Sequence, residues 1–151
     1  MGWAEVRQSI ATLWAANWTL TPTKYENLLF TQPGTQNLAR QPWVALFLQE
    51  LTADRASLGQ MGANIAVHRH VGLVTLQVFT DLNIGTNLGL GLAQQAKEIW
   101  RDREILVNEY GGAIGETIRF IKEPHIEKIG DDGHSWFQYN LKAEFIYDEI
   151  N

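Results

Sequence analysis

The segment Trp136–Asp148 alternates between apolar and polar side chains along almost its whole length. Because successive side chains of a β-strand point to opposite faces, this alternation predicts one long strand with a single apolar face. A strand of this kind needs neighbouring strands beside it and a second layer of structure over its apolar face. The residues predicted on that face are Phe137, Tyr139, Leu141, Ala143, Phe145 and Tyr147.

Two earlier segments supply the neighbouring strands. His70–Thr80 is rich in β-branched residues, and its apolar side chains recur at every second position, which predicts a strand. Gly72 within it indicates a β-bulge. Trp43–Leu51 is apolar at consecutive positions, which predicts a strand covered on both faces. Two shorter strands, Thr117–Lys122 and His125–Ile129, are separated by Pro124, and a turn is expected at residues 130–133.

Two segments have helical periodicity. Residues 2–16 place apolar side chains three and four positions apart, and residues 86–102 follow a plausible N-cap at Thr86 or Asn87. We expect Gly89 and Gly91 to allow close packing of the second helix on the sheet. The residues predicted to be buried are Trp3, Val6, Ile10, Leu13 and Trp14 in the first helix, and Leu88, Leu92, Ala96, Ile99 and Trp100 in the second.

The remaining segments complete a single α+β domain over residues 1–151. Residues 17–37 should be irregular or extended, because Pro22 and Pro33 interrupt any helix. Residues 52–67 are predicted to form a protruding β-arm or loop. The predicted architecture is an antiparallel or mixed β-sheet with two main helices packed on one face.

Composition excludes several classes of protein. The chain has no cysteine, so disulfides, thiolate nucleophiles and cysteine-based zinc sites are ruled out. Its net charge of −5 gives no overall attraction for phosphate. No segment approaches the length of about 18 apolar residues that a membrane helix requires, and the first residues do not resemble a signal peptide. We therefore expect a protein that folds in a cytoplasm.

Three motifs are candidates for a site of chemistry. Residues 85–91 are glycine-rich and precede a helix, but Gln94 stands where a dinucleotide fingerprint needs a small residue. His68, His70 and His134 could join Asp131 or Asp132 at zinc, although polar surface histidines explain them as well. Asp131-Asp132-Gly133 lacks the later glutamate of a calcium loop and is more typical of a hairpin turn. We expect no catalytic residue, cofactor or metal.

Several segments, in order from about Trp3 to Asp148, resemble the tail terminator family of long-tailed bacteriophages. The resemblance is strongest at the strand Arg69-His70-Val71-Gly72-Leu73, which runs into Gln77-Val78-Phe79. The other matching segments are Asn17–Pro22, Tyr25–Asn27, Pro42–Val44, Ala56–Gly59, Gly85–Gly89 and Asp132–Gln138. Residues 62–67 depart from the family because they are longer and more apolar than usual.

The resemblance implies a structural protein and no enzymatic activity. It implies a homo-hexameric ring that caps the head-proximal end of the tail tube, stops tube polymerisation and joins the head. The implied partners are further copies of the chain, the tail-tube protein and a head-completion or connector protein. DNA would pass through the lumen without specific binding, and the protein would reside in the neck region of the virion.

Exposure and expected flexibility, rather than any motif, suggest which residues meet partners. We expect ring contacts from the arm, residues 54–67, and from the exposed sheet edge, and contacts with the tail tube from the loops at residues 108–116 and 129–135. The interface residues so predicted are Arg55, Leu58, Met61, Ile65, His68, Arg69, His70, Asp131, Asp132 and His134.

Two alternatives stay open at this point. One is a neighbouring neck or tail-completion ring, which gene position beside the tail-tube gene would distinguish. The other is a small-molecule binding domain or enzyme, which requires a deep polar pocket around His68, His70 and His134. Replacing these histidines would abolish an activity if the protein is an enzyme or binding domain, and would change assembly at most if it is a ring subunit.

Overall fold

A computed structural model describes residues 2–30, 41–55, 67–82, 84–106, 117–133 and 136–150. Two helices and seven strands follow one another in these segments. They are α1 (Trp3–Asn17), β1 (Thr23–Tyr25), β2 (Trp43–Arg55), β3 (Val67–Asp81), α2 (Asn87–Trp100), β4 (Glu104–Leu106), β5 (Thr117–Phe120), β6 (His125–Asp131) and β7 (Trp136–Ile150). The chain is therefore α+β, as predicted.

The described strands form one mixed sheet that curls into a half-barrel. The strand order is β1-β2-β3-β7-β5-β4, and β6 pairs with the part of β7 that precedes the β5 contact. β1 runs parallel to β2, whereas the other pairs are antiparallel. The long strands β2, β3 and β7 lie at the centre of the sheet, where each has a neighbouring strand on both edges.

The main hydrophobic core joins both helices to alternating positions of the central strands. β7 contributes Tyr139, Leu141, Ala143, Phe145 and Tyr147, as its alternation predicted. Val6, Ile10, Leu13 and Trp14 of α1 are buried in the same cluster, with Trp3 packed partly buried at its margin. A smaller cluster holds Trp43, Ala45, Phe79 and Trp136, so β2 does contact apolar residues on both faces.

Aromatic stacking explains how the segment after α1 folds back on the core. Trp18 stacks on Trp14 with ring centroids 4.8 Å apart, and Trp14 stacks on Trp100 of α2 at 5.6 Å. Trp18 Nε1 donates to Thr21 Oγ1 at 2.8 Å, and Trp14 Nε1 donates to Thr23 Oγ1 at 3.0 Å. The two threonines thus satisfy buried indole N–H groups and hold the chain beside the sheet, where β1 begins.

The prediction for α2 was wrong in two details. The helix ends at Trp100, because Arg101 is extended and Asp102 has a φ of 51°. Leu88 is exposed, and Gly89 takes the position against the sheet, where an added Cβ would lie 2.9 Å from Tyr139 Cδ2. Close packing therefore explains Gly89, but Gly91 has no neighbour within 4 Å of such an atom.

The strand boundaries also required correction. β2 and β3 remain paired as far as Arg55 and His68, so the ends of the predicted arm belong to the sheet, and residues 56–66 lie outside the described part. The register break lies in β2 between Glu50 and Thr52, directly opposite the step from Gly72 to Val71 in β3, so Gly72 marks the bulge as predicted. Gly72 also lacks a side chain because the ring of Phe145 covers it. Neither β1 nor β4, each three residues long, was predicted.

Candidate assembly surface

The structure places the predicted interface residues at two separate sites. His68, Arg69 and His70 lie on β3 opposite residues 147–149 of β7, and Arg55 pairs with His68 in the backbone register. Asp131 and Asp132 lie at the other end of β7, beside Phe137 and Trp136. Leu58, Met61, Ile65 and His134 lie outside the described residues, as does the loop at residues 108–116.

His70 lies between two carboxylates on one face of the sheet. Its Nδ1 atom is 2.8 Å from Glu50 Oε1, and its Nε2 atom is 3.2 Å from Glu149 Oε2. The imidazole stacks on Tyr147, with centroids 4.6 Å apart and planes 4° apart. Burial, reinforced by the charges of Glu50 and Glu149, raises the pKa of Tyr147. The phenol therefore remains neutral beside the two acidic side chains.

The opposite face of the same strands carries an ion pair. Arg69 donates to Asp148 through Nε at 2.9 Å and through an Nη atom at 3.1 Å, in a bidentate arrangement. The hydrogen bond from Arg69 lowers the pKa of Asp148. Arg69 and His70 were predicted from the sequence, but Glu50, Asp148 and Glu149 were not, because only the strand register brings these residues together.

The ion pair predicts a pH dependence of stability. The folded-state pKa of Asp148 is below its ordinary value of about 4, so the ionised carboxylate stabilises the fold above that pH. This contribution is lost as the pH falls through the lower, folded-state value. We expect Asp148→Asn to lower the urea midpoint of unfolding at pH 7, and the loss to become progressively smaller as the pH is lowered below about 4. A loss that does not shrink in acid would contradict the assignment.

The turn between β6 and β7 is built by its two aspartates. Asp131 Oδ1 accepts from the backbone N–H of Gly133 at 2.8 Å, and Asp132 Oδ1 accepts from that of Trp136 at 3.1 Å. Gly130 and Gly133 both have positive φ values, 91° and 79°. The predicted turn is thus present, and its carboxylates are engaged by the backbone as hairpin chemistry requires.

An apolar groove that the sequence did not reveal runs between α1 and the β1 edge. It has a volume of about 340 Å³ and is lined mainly by Ala4, Gln8, Ala11, Tyr25, Leu28 and Leu48. Glu26 holds the groove together, since one oxygen accepts from the Leu48 N–H at 2.6 Å and the other lies 3.3 Å from Arg7 Nη2. Asn27, with φ of 57°, then turns the chain so that Leu28 remains exposed.

No metal site is found among the described residues. They contain no group of three or more metal-ligating side chains placed to bind one ion. His68 and His70 are both described, but the third histidine of the zinc alternative, His134, is not. No helix in the described segments has the length and apolar character needed to cross a bilayer.

Comparison with known proteins identifies a shared fold but no family. No family model matches the chain, and no curated protein matches its sequence. One solved structure superposes with a TM-score of 0.62 over 100% of this chain and 96% of the other, at 14% sequence identity. Identity this low shows the fold alone. The protein is thus an α+β domain with a curled mixed sheet.

Proposed function

We propose that the protein is the tail terminator of a long-tailed bacteriophage, forming a ring that caps the head-proximal end of the tail tube. The observation that carries this proposal is the exposed end of the β2–β3 hairpin. Every residue from Gln49 to Asp54 is exposed, although β2 and β3 stay paired to Arg55 and His68. The side chains on both faces of this part of β2 therefore face solvent.

Among the described strands, β2 is the outer one at this end of the sheet, because β1 pairs only with residues 44–46 of β2 while β3 continues to β7. An uncovered strand edge is a template for pairing with another chain. Leu51, which is 44% exposed, adds an apolar side chain to this edge. A partner that covers β2 would pair the free edge and bury Leu51, which supports a role in assembly.

The proposal includes the finer architecture predicted from the sequence. Both helices would lie on one face of the sheet, because they share a core with alternating positions of β2, β3 and β7. The end of β2–β3, continued by residues 56–66, would form the arm that reaches a neighbouring subunit. The ring would be a homo-hexamer that contacts the tail-tube protein and a head-completion protein, with DNA passing through its lumen.

The second candidate is a neighbouring neck or tail-completion ring. The same exposed hairpin favours it, since an arm of this kind serves any closed ring built from one heterologous interface. The two candidates differ in their expected effect on the tail tube. A terminator stops the tube from growing, whereas a neck ring binds above it without limiting its length.

The proposal is tested by adding the purified protein to polymerising tail-tube protein of the same phage. We expect negative-stain images to show shorter tubes with a ring at one end, and particles labelled on this chain to carry the label at the neck. Tubes of unchanged length with a neck label would favour the second candidate. A label at the distal tip would contradict both.

A hairpin variant serves as the matched control for this experiment. Residues 56–67 are replaced by Asn-Gly, a sequence that favours the tight turn needed to join Arg55 to His68. The variant should retain the circular dichroism spectrum of the original chain but no longer shorten the tubes. Undiminished capping by this variant would show that the arm is dispensable.

A further inference from the structure

The two outer strands β1 and β6 lie at the same height on opposite edges of the sheet. The register connects them through one row of residues: Lys24 pairs with Ala45, Ala45 with Gln77, Gln77 with Asn140, and Asn140 with Glu127. The adjacent row connects Tyr25 of β1 to Ile126 of β6 through one residue of each central strand. No axial offset therefore separates the two edges along the central strands.

Among the described residues, β1 pairs only with β2 and β6 pairs only with β7, so the other edge of each strand has backbone groups available for a further strand. Val44 N–H donates to Pro22 O, so in the parallel ladder the N–H and C=O of Lys24 face β2 and those of Thr23 point outward. The strand directions make β1 antiparallel to β6, since three antiparallel pairs and one parallel pair separate them.

We propose that β1 of one copy pairs with β6 of the next copy, placing Lys24 beside Glu127 across the junction. This inference rests on the proposed ring function and names the interface that would build it. A repeated head-to-tail contact closes into a ring only when it introduces no net rise, and otherwise it makes a helical filament. Edges at the same height satisfy that condition when the strands run parallel to the ring axis.

The side chains at the junction are complementary. Lys24 is exposed, and Glu127 lies 3.4 Å from Lys142 in an exposed pair of the kind that contributes little stability. Opposite charges directly across an antiparallel pair are favourable. In the next row, Tyr25 and Ile126 are both half-buried and pack against the main core, so their pairing would continue the apolar layer from one copy to the next.

The test uses disulfide trapping in a chain that has no cysteine of its own. Directly opposed residues of an antiparallel pair have Cα atoms about 4.5–5.5 Å apart, within the range a disulfide can bridge. We expect the double variant Lys24→Cys/Glu127→Cys, after oxidation, to yield a ladder of covalent multimers ending in a closed ring. Reductant should convert the covalent multimers back to monomers, and each single variant should form no covalent species beyond a dimer.

The matched control moves one thiol to a different height. Glu104 is also exposed, but its strand β4 pairs with β5, which meets β7 at residues 145–147, beyond the β6 contact. The variant Lys24→Cys/Glu104→Cys should give no ladder. A ladder from this control, or none from the 24/127 variant, would overturn the edge assignment.

Light scattering and the tube-length assay separate the two proposals. A ring that still forms and caps tubes without a 24/127 cross-link would refute the β1–β6 interface and leave the proposed function standing. A 24/127 ladder from a protein that leaves tube length unchanged would support the interface and refute the capping role. Circular dichroism of each variant confirms that the exposed substitutions preserve the fold.

Discussion

Replacing Trp14 by alanine is expected to lower the free energy of unfolding by about 3–5 kcal/mol, the range for removing a large aromatic side chain from a core. Trp14 is fully buried and stacks between Trp18 and Trp100, so its removal opens a cavity where the two helices meet. It also leaves Thr23 Oγ1 without the indole N–H that it accepts. Urea unfolding followed by circular dichroism measures the loss.

Trp14→Phe is the matched control. It retains an aromatic ring in the stack but removes the hydrogen bond to Thr23, so its loss should be clearly smaller than that of Trp14→Ala. If both variants lost the same stability, the hydrogen bond rather than the packing would dominate. A loss below about 1 kcal/mol for Trp14→Ala would contradict the central position of the stack.

Gly72→Ala should produce the second large effect, a loss of about 1–3 kcal/mol from overpacking. An added Cβ would overlap the ring of Phe145, well inside van der Waals distance. The Phe145 ring has little freedom to move, because it also stacks on Trp3 at 6.1 Å and meets Phe120 at 5.6 Å. Thermal and urea unfolding of the variant measure the loss directly.

Two companion variants establish the cause. Gly91→Ala should be neutral or should stabilise the protein by about 0.5–1 kcal/mol, since its Cβ would enter open space within a helix. Phe145→Leu should couple to Gly72→Ala, so that the double variant is more stable than the sum of the single losses predicts. Simple additivity would show that the contact with Phe145 is not the reason for glycine at residue 72.

The sequence predicted the elements whose patterns are long. The alternation in β7 and the β-branched run in β3 each persist over enough residues to identify a strand and its apolar face. The spacing of Val6, Ile10, Leu13 and Trp14 similarly located α1 and its buried face. β1 and β4 were missed because three residues are too few to show a period, and β1 depends on tertiary contacts made by Trp14 and Glu26.

The candidate surface was only partly predictable because it depends on register. Arg69 and His70 were selected from their own strand, but Asp148, Glu50 and Glu149 are neighbours only through pairing across β2, β3 and β7. The same holds for Lys24 and Glu127, which belong to one row through four successive pairings. In α2, the helical period could not decide whether Leu88 or Gly89 faced the sheet, and the large side chain of Tyr139 left room only for glycine.

The positions of the tryptophans have a practical consequence for following this protein in solution. All six belong to the two hydrophobic clusters or pack against them, and none lies on β1 or β6. Intrinsic fluorescence should therefore report the integrity of the core and stay nearly constant while copies associate through those strands. A shift of emission to longer wavelength would then signal loosening of a subunit, so assembly is better followed by light scattering.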